Sequence, residues 1–340
     1  MRNVGFALTA VLLLAPVARA APDAAAPVRE QEVTFPSGTV TLTGTLVLPA
    51  GPGPHPAIVL VHGSGDGPRE PLLHFARRFA DDGLLALVYD KRGSGKSQGS
   101  WVRASLDDLA SDVLAGVRLL RSRPEVDARR IGVWAVSQGG WVVPRAAARE
   151  PDALAFVAVV TGGAVLPRDV ERHDAAGKLD AAQVGPERKQ KGLALFDRYL
   201  AYLGNGKDRT GLETALKASA DQPEGRALQL DRIMPAPDAW NAWSWVANYD
   251  PLDDIRKLRV PVLVILGAQD RPILAPESQK RWLDGLSANK DATVITLLGA
   301  GHGATVAGTH HRGPGQTYVP GYLQLLDAWL RLRAASENPH

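Results

Sequence analysis

Four short runs, 57–61, 84–89, 131–136 and 156–160, are almost unbroken stretches of aliphatic and aromatic residues. Runs this short and this continuously apolar predict strands buried on both faces, as in a parallel sheet, where there is no wet side to demand alternation. The segments between them carry a helical period instead. In 71–82 the residues Leu72, Leu73, Phe75, Phe79 and Ala80 fall on one face; 105–121 opens with Ser105-Leu106-Asp107-Asp108, which resembles a capping box; 139–149 is a third such pattern. Ahead of them, 32–35 and 39–48 read as a hairpin around Pro36-Ser37-Gly38, with Val40, Leu42, Leu46 and Leu48 alternating as on a half-buried strand. Strand alternating with helix predicts a doubly wound α/β sheet.

The alternation stops at about residue 166 and resumes at 260–267, 293–298 and a closing helix over 321–333. The stretch between, 166–258, is polar, mostly helical in pattern, and has Trp240, Trp243 and Trp245 close together. It is expected to be a helical cap inserted into a core formed by 32–165 and 259–335.

The N-terminus adds a compartment. Arg2, an apolar run from Val4 to Val17, and Ala18-Arg19-Ala20 have the form of a secretory signal peptide over 1–20, followed by an Ala/Pro-rich spacer over 21–31. The run is too short to span a bilayer, so an exported protein, periplasmic or secreted, is expected, with no integral membrane segment after cleavage. Removing Arg2 and Arg19 from 39 basic residues leaves 37 against 36 acidic ones. That balance gives no electrostatic footprint for nucleic acid. The chain has no cysteine, which removes thiol nucleophiles and thiolate metal sites. No cofactor is expected, and the spacing of the histidines suggests no metal centre.

The most informative local pattern is Trp134-Ala135-Val136-Ser137-Gln138-Gly139-Gly140. A buried strand ends at Val136 and a helix begins within a residue or two of Ser137, so this serine is expected at the tip of a sharp strand-to-helix turn. Small neighbours fit such a turn; the form here is Ala-x-Ser-x-Gly. A serine hydroxyl needs a base. Of His55, His62, His74, His173, His302, His310, His311 and His340, only His302 follows a late strand in a flexible setting, Gly299-Ala300-Gly301-His302-Gly303. The imidazole in turn needs a carboxylate, and Asp270 emerges after the strand that ends near Gly267. An oxyanion needs backbone N–H donors: Gln138 supplies one, and the loop His62-Gly63-Ser64-Gly65 the other, Ser64 first and Gly63 second, with His62 structural. The run from Asp90 to Ser97 follows a strand but lacks the spacing of a phosphate-binding loop, and is expected to be braced by an Asp90–Arg92 pair.

These residues together resemble the α/β-hydrolase superfamily over most of 32–335. The match rests on His62-Gly63-Ser64-Gly65, Asp90-x-Arg92-Gly93-x-Gly95-x-Ser97, Ser137-Gln138-Gly139-Gly140-Trp141, Gly267-x-x-Asp270 and Gly301-His302-Gly303. Within it the chain is similar to exported or uncharacterised bacterial esterases near the dienelactone hydrolase, acyl-CoA thioesterase and serine aminopeptidase branches. The resemblance implies a mostly parallel, eight-stranded sheet with a helical cap after the sixth strand. Dienelactone hydrolases use a cysteine nucleophile, and this chain has Ser137.

The expected activity is cleavage of small acyl esters through an acyl-enzyme, with Ser137, His302 and Asp270 as the triad and a small molecule as partner. Trp141, Trp240, Trp243 and Trp245 are candidates for the pocket wall. A peptidase or thioesterase on the same triad is the alternative, the former needing an amine-binding carboxylate among Glu171, Asp174, Asp180, Glu187 and Glu213. A binding protein that retained the fold is the non-enzymatic reading; no triad member is missing.

Overall fold

The computed structural model describes residues 28–230, 232–306 and 316–335. The expected signal peptide over 1–20, most of the expected spacer, and His310, His311 and His340 lie outside the described residues.

Eight strands form one sheet: β1 (Arg29–Ser37), β2 (Val40–Leu48), β3 (His55–Val61), β4 (Leu85–Tyr89), β5 (Val126–Val136), β6 (Val157–Val160), β7 (Val262–Gly267) and β8 (Ala292–Leu297). Their spatial order is β1-β2-β4-β3-β5-β6-β7-β8. The β1–β2 and β2–β4 pairs are antiparallel, and every later pair is parallel. This is the doubly wound, mostly parallel α/β-hydrolase sheet expected from the pattern and the resemblance.

The unbroken apolar runs are explained by two cores. Along β3, Ala57, Val59 and Val61 enter one core while Ile58 and Leu60 enter the other, because successive side chains point to opposite faces. The first core is closed by α2 (Leu106–Arg121) and α3 (Gly139–Arg149), the second by α1 (Leu73–Asp81) and the last helix, Tyr322–Ala335. Helix α2 begins on the expected capping box: Ser105 Oγ accepts from Asp108 N at 3.1 Å, and the Asp108 carboxylate accepts from Ser105 N at 2.9 Å.

Between β6 and β7 lie α4 (Pro167–Ala181), α5 (Pro186–Asn205), α6 (Arg209–Ser219), α7 (Pro223–Leu228), α8 (Ser244–Asn248) and α9 (Leu252–Ile255). Leu179, Leu203, Leu212 and Leu216 give helices α4 to α6 a separate hydrophobic cluster.

Several bounds differ from the sequence reading. Strand β5 starts at Val126, five residues before its apolar part, because Val126 pairs with His55 through backbone bonds that hydrophobicity does not report. Strand β1 is longer for the same reason; most of its side chains are exposed on the sheet edge. Leu298 is 87% exposed and follows β8 instead of ending it. The helix over 71–82 is split, a short 3-10 turn at Glu70–Leu72 leading into α1.

Asp90 and Arg92 do not pair with each other. Asp90 accepts from Arg69 Nη1 and from Arg69 N, both at 2.8 Å, and Arg92 makes a two-pronged pair with Asp112 at 2.7 Å. Buried charges need several partners, and each of these finds them on a different element. Asp90 also accepts from Lys96 N at 2.9 Å. A side chain at Gly95, whose φ is +50°, would stand 2.5 Å from the Asp90 carboxylate, so the loop closes on itself only with glycine there.

Candidate active site

Ser137 follows the last residue of β5 and precedes the first turn of α3, with φ +56°. A serine in this left-handed region is strained by about 1–3 kcal/mol, and such strain survives where the surroundings over-determine it. They do so here. Ser137 N donates to Val160 O at 3.1 Å, tying the turn to β6. A Cβ at Gly139 would stand 2.6 Å from the Ala135 methyl group, and one at Gly140 would stand 2.6 Å from Gly162 Cα. The alanine at position 135 is tolerated because the residue it faces, Gly139, has no side chain.

His302 lies in the loop after β8. Its Nδ1 is 3.0 and 3.1 Å from the two carboxylate oxygens of Asp270, whose side chain is 1% exposed. Asp270 Oδ1 also accepts from Ile273 N at 3.2 Å, which fixes the carboxylate from behind. A proton on Nδ1 donated to Asp270 leaves Nε2 as the acceptor nitrogen. The loop approaches β7 closely: a Cβ at Gly267 would stand 2.5 Å from Ala300 O and 2.7 Å from Gly301 O. Gly303, at φ +71°, donates its N–H to Thr161 Oγ1 at 3.0 Å.

Thr161 directly follows β6, whose last residue, Val160, holds the Ser137 turn. The end of β6 is therefore the common anchor for the serine turn and the histidine loop. Nothing in the apolar pattern marks Thr161 except that it is the first polar residue after that strand.

The loop after β3 stands beside the serine; a Cβ at Gly63 would be 3.1 Å from Ser137 Cβ. His62 turns the other way, its Nε2–H donating to Tyr89 O at 2.6 Å, and burial pulls its pKa down to about 4. It is a neutral structural residue, as its position at the strand end implies. Between this loop and the serine turn sits a residue that the sequence reading passed over, Lys91. Its Nζ donates to Gly63 O at 2.8 Å, Gly65 O at 3.3 Å and Gln138 Oε1 at 2.7 Å.

The four tryptophans part company. Trp141 is buried, donates to Val165 O at 3.1 Å, and meets Trp245 edge to face at 5.8 Å. Trp243 donates to Val102 O at 2.7 Å and packs on Trp101, while Trp240 packs on Tyr202 inside the cap. Among the described residues, no three His, Asp or Glu side chains are grouped to hold a metal ion, and no helix is long and apolar enough to cross a membrane.

A serine in a strand-to-helix turn, an imidazole oriented by a buried carboxylate, and a glycine-rich loop lie at the carboxyl ends of the strands, which are the parts that acyl transfer uses. Comparison with known proteins agrees with the fold. The family model described as serine aminopeptidase, S33, matches residues 52–307. An uncharacterized 31.7 kDa Escherichia coli protein from the traX-finO intergenic region is 26% identical over 249 residues, covering 72% of this chain and 82% of its own length. Esterase EstD of Thermotoga maritima is 24% identical over 273 residues, covering 77% of this chain and 57% of its own. Among solved structures, the Pyrococcus furiosus esterase Pf2001 superposes with a TM-score of 0.56 at 16% identity, covering 90% of each chain.

Proposed function

The chain belongs to the serine aminopeptidase S33 family of α/β-hydrolases, and from that premise we propose that it is an exported serine hydrolase cleaving esters of small carboxylic acids. The observation that carries this reading is Ser137 at φ +56° in the strand-to-helix turn, held there by Val160 O and by the close approach of Gly139 and Gly140 to their neighbours. His302 Nε2 takes the Ser137 proton as Oγ attacks the ester carbonyl. Asp270 holds the imidazole and stabilises its charged form. The N–H groups of Gln138 and Ser64, with Gly63 as the alternative, hold the oxyanion. The alcohol leaves with the proton from His302; water then enters by the same path and releases the acid.

The names of the Thermotoga and Pyrococcus relatives support ester substrates. The family description favours an amine-bearing peptide, which needs a free carboxylate near the site. In the cap, however, Asp174 pairs with Lys178, Asp180 with Lys189, Glu187 with Lys191 and Glu213 with Arg209. Burial and the neighbouring Asp174 push the Glu171 carboxyl up, which suits it poorly to bind an ammonium group. Trp141 and Trp245, which meet between core and cap, are the better placed of the four tryptophans to wall an acyl pocket.

The test is Ser137→Ala assayed on p-nitrophenyl esters of graded acyl length. Loss of turnover by about 10⁴-fold or more is expected, with the short acyl chains best in the parent enzyme. Undiminished turnover sinks the nucleophile, and aminoacyl-naphthylamide turnover above ester turnover makes the peptidase reading the correct one. Export is checked by the N-terminal sequence of the mature protein, expected to begin at Ala21.

A further inference from the structure

Lys91 is 5% exposed and comes from the loop after β4, an element with no assigned part in the reaction. Its ammonium has three donors, and three acceptors meet them: Gly63 O and Gly65 O on the loop after β3, and Gln138 Oε1 on the serine turn. Its own N–H donates to Gly67 O at 2.8 Å, so the backbone is anchored to the same loop. Lys91 therefore joins the two segments to which the proposed mechanism assigns the oxyanion donors.

The contact to Gly63 O has a further meaning. Gly63 C=O and Ser64 N–H belong to one peptide unit, and in a planar trans unit they point in opposite directions. A cation on the carbonyl side therefore leaves the N–H facing away from Lys91, and it polarises that unit so that the N–H becomes a stronger donor. We propose that Lys91 is a positioning residue for ester hydrolysis, its ammonium setting the place and strength of the Ser64 and Gln138 oxyanion donors. The inference rests on the ester-hydrolase reading above and goes beyond it by assigning the donor of the β3 loop to Ser64 and giving it a charged support.

Burial pulls the Lys91 pKa down to about 8, opposed by the carboxylates of Asp112 and Asp66. The other ionisable groups near it are His62, which stays neutral, and Asp90, which is taken up by Arg69. Loss of the proton leaves two donors for three acceptors, so one of the carbonyl contacts is given up. A fall in kcat as pH rises through about 8 follows from that count.

The test uses the mature enzyme and its Lys91→Met and Lys91→Gln variants, with kcat expressed per active site titrated by a fluorophosphonate. Both variants are expected to lose on the order of tenfold in kcat, less than the ~100–1000-fold for removing an oxyanion donor outright, with KM within about twofold. Phenylboronic acid, which forms a tetrahedral adduct on the serine, should bind more weakly by the same factor. The alkaline fall in kcat should be present in the parent enzyme and absent from both variants. Unchanged kcat and boronate affinity per titrated site, or variants that keep the alkaline fall, overturn the inference. Should neither variant fold, the parent enzyme decides alone: a kcat that stays level from pH 7 to well above the Lys91 pKa of about 8 overturns it. Turnover that survives in Ser137→Ala defeats the hydrolase reading itself, so the two failures are separable.

Discussion

At the carboxyl edge of the sheet, loops from different strands are tied to one another by buried charge. Asp90 is held by Arg69, Arg92 by Asp112 of α2, His302 by Asp270, and Lys91 joins the backbone of the β3 loop to the Gln138 side chain. In the cap, most ion pairs lie at the surface, as in Lys178–Asp174 and Lys191–Glu187, and the helices are joined by a hydrophobic cluster of their own. A hydrophobic contact tolerates sliding, whereas a buried two-pronged ion pair has one geometry and a large penalty for missing it. The edge is thus built for position and the cap for adhesion.

Three experiments sharpen or break that contrast, taken from the largest effect to the smallest. Asp112 is 1% exposed and is the two-pronged partner of Arg92. Asp112→Ala leaves the guanidinium without its main partner and is expected to cost about 3–5 kcal/mol in denaturant unfolding. A loss below 1 kcal/mol would mean that the edge is no more charge-dependent than the cap.

Leu203, 1% exposed in the cap cluster, is the counterpart. Leu203→Ala should cost about 2–4 kcal/mol, felt locally. Hydrogen exchange is expected to accelerate in α4 to α6 while the β3 to β7 strands keep their protection; equal acceleration in both regions would show one cooperative unit.

The smallest effect concerns pH. Burial depresses the pKa of His62 from the ordinary histidine value of 6.5 to about 4. Between those values the unfolded chain binds the proton and the folded one does not. The stability this neutral histidine contributes is therefore complete above pH 6.5 and is lost as pH falls through about 4. The expected loss is roughly 1–3 kcal/mol, visible as a falling midpoint of thermal unfolding, and His62→Gln should flatten that slope. An equally steep slope in the variant would place the acid sensitivity elsewhere.

The parts of this protein that the sequence carries on its face are those decided within a few residues. Continuous apolar runs identified the buried strands because each strand feeds two cores, and Ser105 with Asp108 announced the start of α2. Strand ends and small neighbours mark Ser137, Asp270 and His302 locally, and of these the structure pairs His302 with Asp270. Tertiary structure alone decided the rest. The polar beginning of β5, the true partners of Asp90 and Arg92, the anchoring of the histidine loop by Thr161, and the reach of Lys91 to two other segments are contacts between residues far apart in the chain. Hydrophobic periodicity reports whether a side chain is buried; it does not report which hydrogen-bonding group waits for a buried charge on the far side of the loop.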